Sequence, residues 1–295
     1  MMKEQYIQGL DSRGFHQLHY TDWGDAENPR VVICVHGLTR NCRDFDALAT
    51  VLQNDLRVIS VSIAGRGKSS WLANPDDYSY PQYMADMTAL IARITATGSN
   101  DISWVGTSMG GMLGMLLAAQ PNTPIRRLVL NDVGAVIPKA AMERIGSYVS
   151  KILRFGSCEE TEAWLRMTLA PFGPLSDAQW RHLTVHNSKQ HDDGSWSMNY
   201  DPNIALPFQK AQARDIELWN YYDAIRCPTL LLRGALSDLL QKDIAVQMTQ
   251  RGPRPELVEF EGIGHAPALM SDDQTGIVRN FLLQGQAKTA SPARG

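Results

Sequence analysis

Apolar residues along the chain fall into two rhythms. Short runs that are apolar at nearly every position recur as VVICVHG (31–37), RVISVSI (57–63), DISWVGT (101–107), RLVLNDVG (127–134), TLLLRG (229–234) and ELVEFEG (256–262). A strand that is apolar at successive positions is covered on both faces, so these runs predict a parallel sheet. Between them the spacing becomes helical: Phe45, Leu48, Val51 and Leu52 share one face, as do Tyr83, Met87, Leu90, Ile91 and Ile94. Strand and helix in alternation predict an α/β domain on a doubly wound sheet.

The alternation stops between about 135 and 227. MERIGSYVSKIL, CEETEAWLRMTLAPF, SDAQWRHLTVHN and DIELWNYYDAI read as helices with no strand pattern between them. A mostly helical stretch placed between two core strands is expected to be an inserted cap. The expected division is a first core part over 1–134, the cap over 135–227, a second core part over 228–286 and a small, polar, flexible tail over 287–295.

Composition removes several function classes. At 295 residues, 44% apolar and 20% charged, the chain has the make-up of a globular enzyme. Its net charge of -3, without a block of like charges, provides no field for a phosphate backbone or an anionic membrane surface. Neither nucleic acid nor membrane is an expected partner. The opening MMKEQYIQGLDSRG lacks an apolar segment, and no run approaches the roughly 20 apolar residues that span a bilayer, so a cytoplasmic location is expected. Cys34, Cys42, Cys158 and Cys227 show no CxxC spacing, and most of them read as small buried thiols rather than zinc ligands.

Two motifs invite a chemical reading. SIAGRGKSS (62–70) ends like a phosphate loop at Gly67-Lys68-Ser69, but Ser62 stands where the first glycine is required. The prolines and turn formers of WLANPDDYSYP follow, instead of the helix whose first amides would face a phosphate. Nucleotide binding is not expected. The second motif is Gly106-Thr107-Ser108-Met109-Gly110-Gly111, set between the strand DISWV and the helix former MLGMLLAAQ. Strand, G-x-S-x-G, helix is the context that lifts a serine nucleophile off a tight turn, with small residues on either side to let the chain fold back.

A serine hydroxyl needs an imidazole to take its proton and a carboxylate to orient that imidazole. His265 follows the strand ELVEFEG, and Asp238 follows TLLLRG, both at the sheet edge where ligands collect and in the chain order Ser, Asp, His. Asp238 is the expected acid, with Asp132, after RLVL, as its rival. The oxyanion of a tetrahedral intermediate is expected to meet the amides of Met109 and Leu38, the latter in His36-Gly37-Leu38-Thr39-Arg40. His36 itself reads as a loop-packing residue. Gly37, Arg40, Trp164 and Trp219 are candidate pocket residues, since the cap is rich in aromatics and part of it should roof the site. His182 and His186, four apart on one cap helix, read as ordinary exposed histidines, so no metal site is expected.

Taken together, HGL, GTSMGG, the SD after a late strand and the GH near the end resemble the α/β-hydrolase superfamily over about 15–283, closest to capped esterases, enol-lactonases and carbon-carbon bond hydrolases. The resemblance implies an α/β-hydrolase fold with a helical cap between the sixth and seventh core strands, and a cofactor-free serine hydrolase. SIAGRGKS then aligns with that superfamily's D-x-x-G-x-G-x-S, with Ser62 in the place of the Asp. The expected activity is hydrolysis of small to medium carboxylic esters through an acyl-enzyme. Cleavage of C-C bonds, lactones or thioesters by the same triad is the alternative, and a ligand receptor that retains the pocket is a third reading. The expected partner is a small ester-like molecule, with a homodimer left open.

Overall fold

The computed structural model describes residues 2–96, 98, 101–206 and 214–284, so the tail expected over 287–295 lies outside the described residues. A hairpin of β1 (Lys3–Asp11) and β2 (Gly14–Trp23) comes first. It leads into β3 (Arg30–Val35), α1 (Asp46–Leu52), β4 (Arg57–Val61), α2 (Tyr80–Thr95), β5 (Asp101–Thr107), α3 (Met109–Ala118) and β6 (Ile125–Asn131). The segment between β6 and the next core strand begins with β7 (Val136–Ile137) and carries α4 (Lys139–Val149), α5 (Cys158–Thr168) and α6 (Asp177–Asn187). It continues through β8 (Ser188–Gln190), β9 (Trp196–Met198), β10 (Ile216–Glu217) and α7 (Trp219–Ala224). The core resumes with β11 (Thr229–Gly234), α8 (Lys242–Gln250), β12 (Glu256–Phe260) and α9 (Asp272–Leu283).

One eight-stranded sheet runs in the order β1-β2-β4-β3-β5-β6-β11-β12. From β4 to β12 the neighbours are parallel, and β1 and β2 are added antiparallel at one edge. The apolar runs behave as strands covered on both sides: along β3, Val31, Ile33 and Val35 join one core with α2 and α3, while Val32 and Cys34 join a second core with α1 and α9. Met87, Leu90, Leu113 and Met115 fill the first layer, and Phe45, Leu48, Val278 and Phe281 the second. Helix starts follow from short polar caps. Ser176 and Gln179 form a reciprocal capping box at the start of α6, and the Ser157 hydroxyl accepts the Glu160 amide at the start of α5.

Two features depart from the sequence pattern. The N-terminal hairpin is not among the apolar runs, because β1 lies at the sheet edge and exposes Glu4, Gln8 and Leu10 while Ile7 and Gly9 turn inward. The inserted segment is also not purely helical: β7 pairs with β10 and β8 with β9, each antiparallel. These pairs are too short to show as apolar runs. The segment is fastened to the core by hydrogen bonds, with the Asn41 side-chain amide donating to the His186 carbonyl (2.8 Å) and the Tyr78 hydroxyl to Asp201 (2.6 Å).

Residues 62–70 form a turn in which no helix starts at Lys68; its ammonium pairs with Glu4 at 2.7 Å. Ser62 is buried and its hydroxyl accepts the Cys42 amide at 3.2 Å. Among the described residues no helix is long and apolar enough to cross a membrane.

The hairpin is pinned by charge. His16 is buried, with Nε2 3.1 Å from both oxygens of Asp86 on α2, and Asp11 3.4 Å from its Nδ1. Burial opposes the charged imidazole, but the hydrogen bond and charge of Asp86, helped by Asp11 and Asp77, outweigh it and raise the pKa above the ordinary 6.5. A raised pKa means that the added stability is complete below 6.5 and is lost as pH rises through the raised value. His16→Gln should therefore lower the melting temperature more at about pH 5.5 than at about pH 8.5. Equal losses at the two pH values would show that the pair carries no charge-dependent stability.

Candidate active site

Ser108 sits between the last residue of β5 and the first of α3, at φ 52° and ψ -116°. A side chain rarely occupies that region, and the conformation persists because its surroundings over-determine it. The Ser108 amide donates to the Asn131 carbonyl (3.0 Å), and its carbonyl accepts the amides of Gly111 and Met112. Gly110 makes the turn possible: a Cβ there would overlap the backbone of Val35 at the end of β3. Gly106 is pressed as closely on the backbone of Gly110 and Gly111.

The loops after β6 and β12 meet the serine. His265 Nε2 lies 3.0 Å from Ser108 Oγ, and its Nδ1 lies 2.7 Å from Asp132 Oδ2. Asp132 follows β6 directly and has no solvent exposure. Its Oδ1 accepts the Gly234 amide (2.9 Å), and its Oδ2 also accepts the Ser237 hydroxyl (2.6 Å). The carboxylate oxygen that faces His265 is an acceptor, so the imidazole donates from Nδ1 and leaves Nε2 to face the serine as an acceptor. Asn131 braces this arrangement, its amide donating to Thr107 Oγ1 (3.0 Å) and to the Pro267 carbonyl (2.9 Å) in the histidine loop.

On the opposite side of Ser108 runs the loop after β3. His36 is fully buried; its Nε2 accepts the Ile63 amide (3.0 Å), so Nδ1 carries the hydrogen and donates to the Gly37 carbonyl (2.6 Å). Burial pushes this imidazole down to about 3, so it stays neutral and holds the loop. Arg66, also fully buried, reaches both flanks of the serine. Its Nε donates to the Leu38 carbonyl (2.8 Å), its Nη1 to the Ala64 carbonyl (2.6 Å) and the Tyr83 hydroxyl (2.9 Å), and its Nη2 lies 3.6 Å from Met109 Sδ. Among the described residues Arg66 has no carboxylate partner.

Two cavities open onto Ser108. One, of about 290 Å³, is rimmed by charge from Arg40, Asp44, Arg144 and Asp238 and contains His265. The other, of about 260 Å³, is apolar and is lined by Tyr80, Met109, Met112, Met142, Ile204 and Leu239, among others. Leu38 and Ser108 belong to both, so the hydroxyl stands where they join.

Residues 32–278 match the family model described as the alpha/beta hydrolase family. The chain belongs to this family. Among relatives of this hydrolase, the 3-hydroxybutyrate-oligomer hydrolase of Cupriavidus necator is 43% identical over 284 residues, covering 94% of this chain and 96% of that protein. A crystal structure of a putative hydrolase from Rickettsia typhi superposes with a TM-score of 0.89 at 31% identity, covering 97% of this chain and all of the other. An alpha/beta hydrolase from Novosphingobium aromaticivorans superposes with a TM-score of 0.83 at 35% identity, covering 95% and 98%.

Of the residues expected to act together in this hydrolase, Ser108 and His265 are brought into hydrogen-bond contact, and Leu38 and Met109 flank the serine. Asp238 is not with them. Its half-exposed carboxylate stands at the rim of the charged cavity and makes a two-pronged ion pair with Arg144 on α4, at 2.6 and 2.9 Å. The neighbouring Ser237 takes the inward position, its hydroxyl donating to Asp132 and accepting the amides of Leu239 and Leu240. The carboxylate beside His265 is therefore the rival, Asp132. Gly37 and Arg40 line the charged cavity, whereas Trp164 and Trp219 line neither cavity. Trp164 packs on Phe155, and Trp219 packs on Tyr222 beneath the Arg251 guanidinium. Tyr148, Leu169 and Phe172 take the place foreseen for them. Arg66 is a site residue that the sequence reading missed; an arginine enclosed between the two glycines of a tight turn was its only signal.

The short contact between His265 and Asp132 should give a strongly downfield proton resonance, retained in Asp238→Asn and lost in Asp132→Asn. A resonance that disappears with Asp238 instead would contradict the placement of the two carboxylates.

Proposed function

We propose that this hydrolase cleaves carboxylic esters through a covalent acyl-enzyme, with Ser108 as nucleophile, His265 as general base and acid, and Asp132 as the group that orients the imidazole. The observation that carries the reading is the continuous hydrogen-bonded chain from Ser108 Oγ through His265 to a buried carboxylate, at the junction of two cavities. Ser108 Oγ attacks the carbonyl carbon as its proton passes to His265 Nε2. The oxyanion forms beside the amides of Leu38 and Met109, each worth about 3 kcal/mol in the transition state. Met109 is the first residue of α3, where a backbone amide has no intrahelical partner and the helix dipole favours negative charge. Collapse breaks the ester bond, and the leaving alcohol takes the proton from His265. Water then gives a proton to His265 and attacks the acyl carbon; as the second intermediate collapses, His265 returns that proton to Ser108 Oγ, releasing the acid and restoring the serine.

The two cavities suggest the substrate's shape, with a short apolar part against Met109, Met112 and Met142 and a polar part toward the rim, where Arg40 pairs with Asp44 and Arg144 with Asp238. A linear oligomer of a short hydroxy acid has both parts in one molecule. The 43% identity to a 3-hydroxybutyrate-oligomer hydrolase, over nearly the full length of both chains, supports that substrate class.

The test is a panel on the pure protein: the 3-hydroxybutyrate dimer and trimer, p-nitrophenyl esters of rising acyl length, lactones, acyl thioesters and β-diketones. Linear hydroxyacyl esters should give the highest kcat/KM. Ser108→Ala should abolish turnover with the fold intact, Asp132→Asn should lower kcat by about 10³ to 10⁴-fold, and Asp238→Asn should change it by only a small factor. Full activity in Ser108→Ala, or turnover confined to diketones, would overturn the reading.

A further inference from the structure

Outside the cleft, α6 of the cap lies over the start of α1 of the core, and three metal-ligating side chains meet there. His182 and His186 are one turn apart on α6, with their rings edge to face at 4.5 Å between centroids. Asp46 opens α1 beneath them, and one ligand atom from each of the three lies within 4.8 Å of the other two. His182 Nε2 is 3.5 Å from Asp46 Oδ2 and 3.0 Å from the Arg43 carbonyl oxygen. The histidines are therefore not the freely exposed pair expected from the sequence; both are partly buried where cap meets core.

Asp46 supplies an independent observation. The residue is 8% exposed, and its Oδ1 is buried with no hydrogen-bond partner. Oδ2 is taken by Arg43, through Nε at 2.7 Å and Nη2 at 2.6 Å. A buried carboxylate oxygen without a donor is costly, and a cation placed against it removes the cost.

We propose that Asp46, His182 and His186 bind a divalent transition ion, with water completing its shell. Two imidazoles and one carboxylate suit Zn²⁺, Co²⁺, Ni²⁺ or Cu²⁺, whereas Mg²⁺ and Ca²⁺ prefer all-oxygen shells. The Arg43 guanidinium neutralises Asp46 when the ion is absent and opposes it when present, which makes the site one that loads and unloads with ion concentration. Because one ligand belongs to the core and two to the cap, a bound ion cross-links them and stabilises the fold by mass action. Asp44 and Phe45, which precede Asp46, line the charged cavity, so the clamp acts beside the substrate entrance.

The experiment uses untagged, chelator-stripped full-length protein titrated with ZnCl₂ by calorimetry and with CoCl₂ by visible absorption. The site predicts one high-affinity ion per chain, cobalt bands of a low-coordinate nitrogen and oxygen shell, and a melting temperature that rises with added ion. His186→Gln, and separately His182→Gln, should weaken binding by at least about tenfold and remove the rise in melting temperature. Without added metal, His186→Gln should hydrolyse p-nitrophenyl esters at the wild-type rate, which separates this site from the catalytic one. Equal zinc affinity in the wild type and both variants, or no binding at millimolar ZnCl₂, would overturn the proposal.

Discussion

Asp132 carries its carboxylate where none of the side chain meets water, and a charge so placed is tolerable only while donors surround it. Those donors come from two segments distant from Asp132 in the chain: the Gly234 amide at the end of β11 with the Ser237 hydroxyl in the loop directly after it, and the His265 ring in the loop after β12. Satisfying one buried anion therefore gathers the carboxyl ends of neighbouring parallel strands at one point. It also fixes the proton of His265 on Nδ1, which directs the acceptor nitrogen at Ser108. The electrostatic requirement of the interior and the geometric requirement of the proposed chemistry are met by the same contacts.

The other half of the site is organised around backbone. The elbow at Ser108 needs α3 to approach β3 so closely that Gly110 has no room for a side chain, and this approach brings the start of the helix beside Leu38. Arg66 then ties the two sides together, touching the Leu38 carbonyl and the Met109 sulfur from a fully buried position stacked near the rings of Tyr78 and Tyr83. An interior cation with no carboxylate partner among the described residues is a cost to folding. Placed beside the amides proposed to meet an oxyanion, its field has the sign that stabilises that charge.

The core was largely legible in the sequence because strands covered on both faces are apolar without interruption, and each of the runs from VVICV to ELVEF is a strand of the sheet. The edge hairpin was not, since β1 alternates and exposes most of its polar residues. Ser108 and His265 could be read from their settings, a G-x-S-x-G between strand and helix and a histidine after the last strand. The acid could not, because Asp132 and Asp238 both follow strands in loops at the same sheet edge. What separates them is the direction of each side chain: Asp132 has a left-handed backbone at φ 53° and turns inward, while Asp238 finds Arg144 on the cap. That partner belongs to an element whose position no local pattern specifies. The same limit applied to Asp46, which meets His182 and His186 across more than a hundred residues of chain.

The most direct test of the central claim, that Ser108 is the nucleophile of a preassembled acyl-transfer site, is a crystal structure after reaction with a fluorophosphonate. The account predicts a phosphonyl group bonded to Ser108 Oγ, with its oxygen in hydrogen-bond contact with the amides of Leu38 and Met109 and the alkyl chain in the methionine-lined cavity. A protein that stays unlabelled, or carries the phosphonyl group on a different residue, would contradict it.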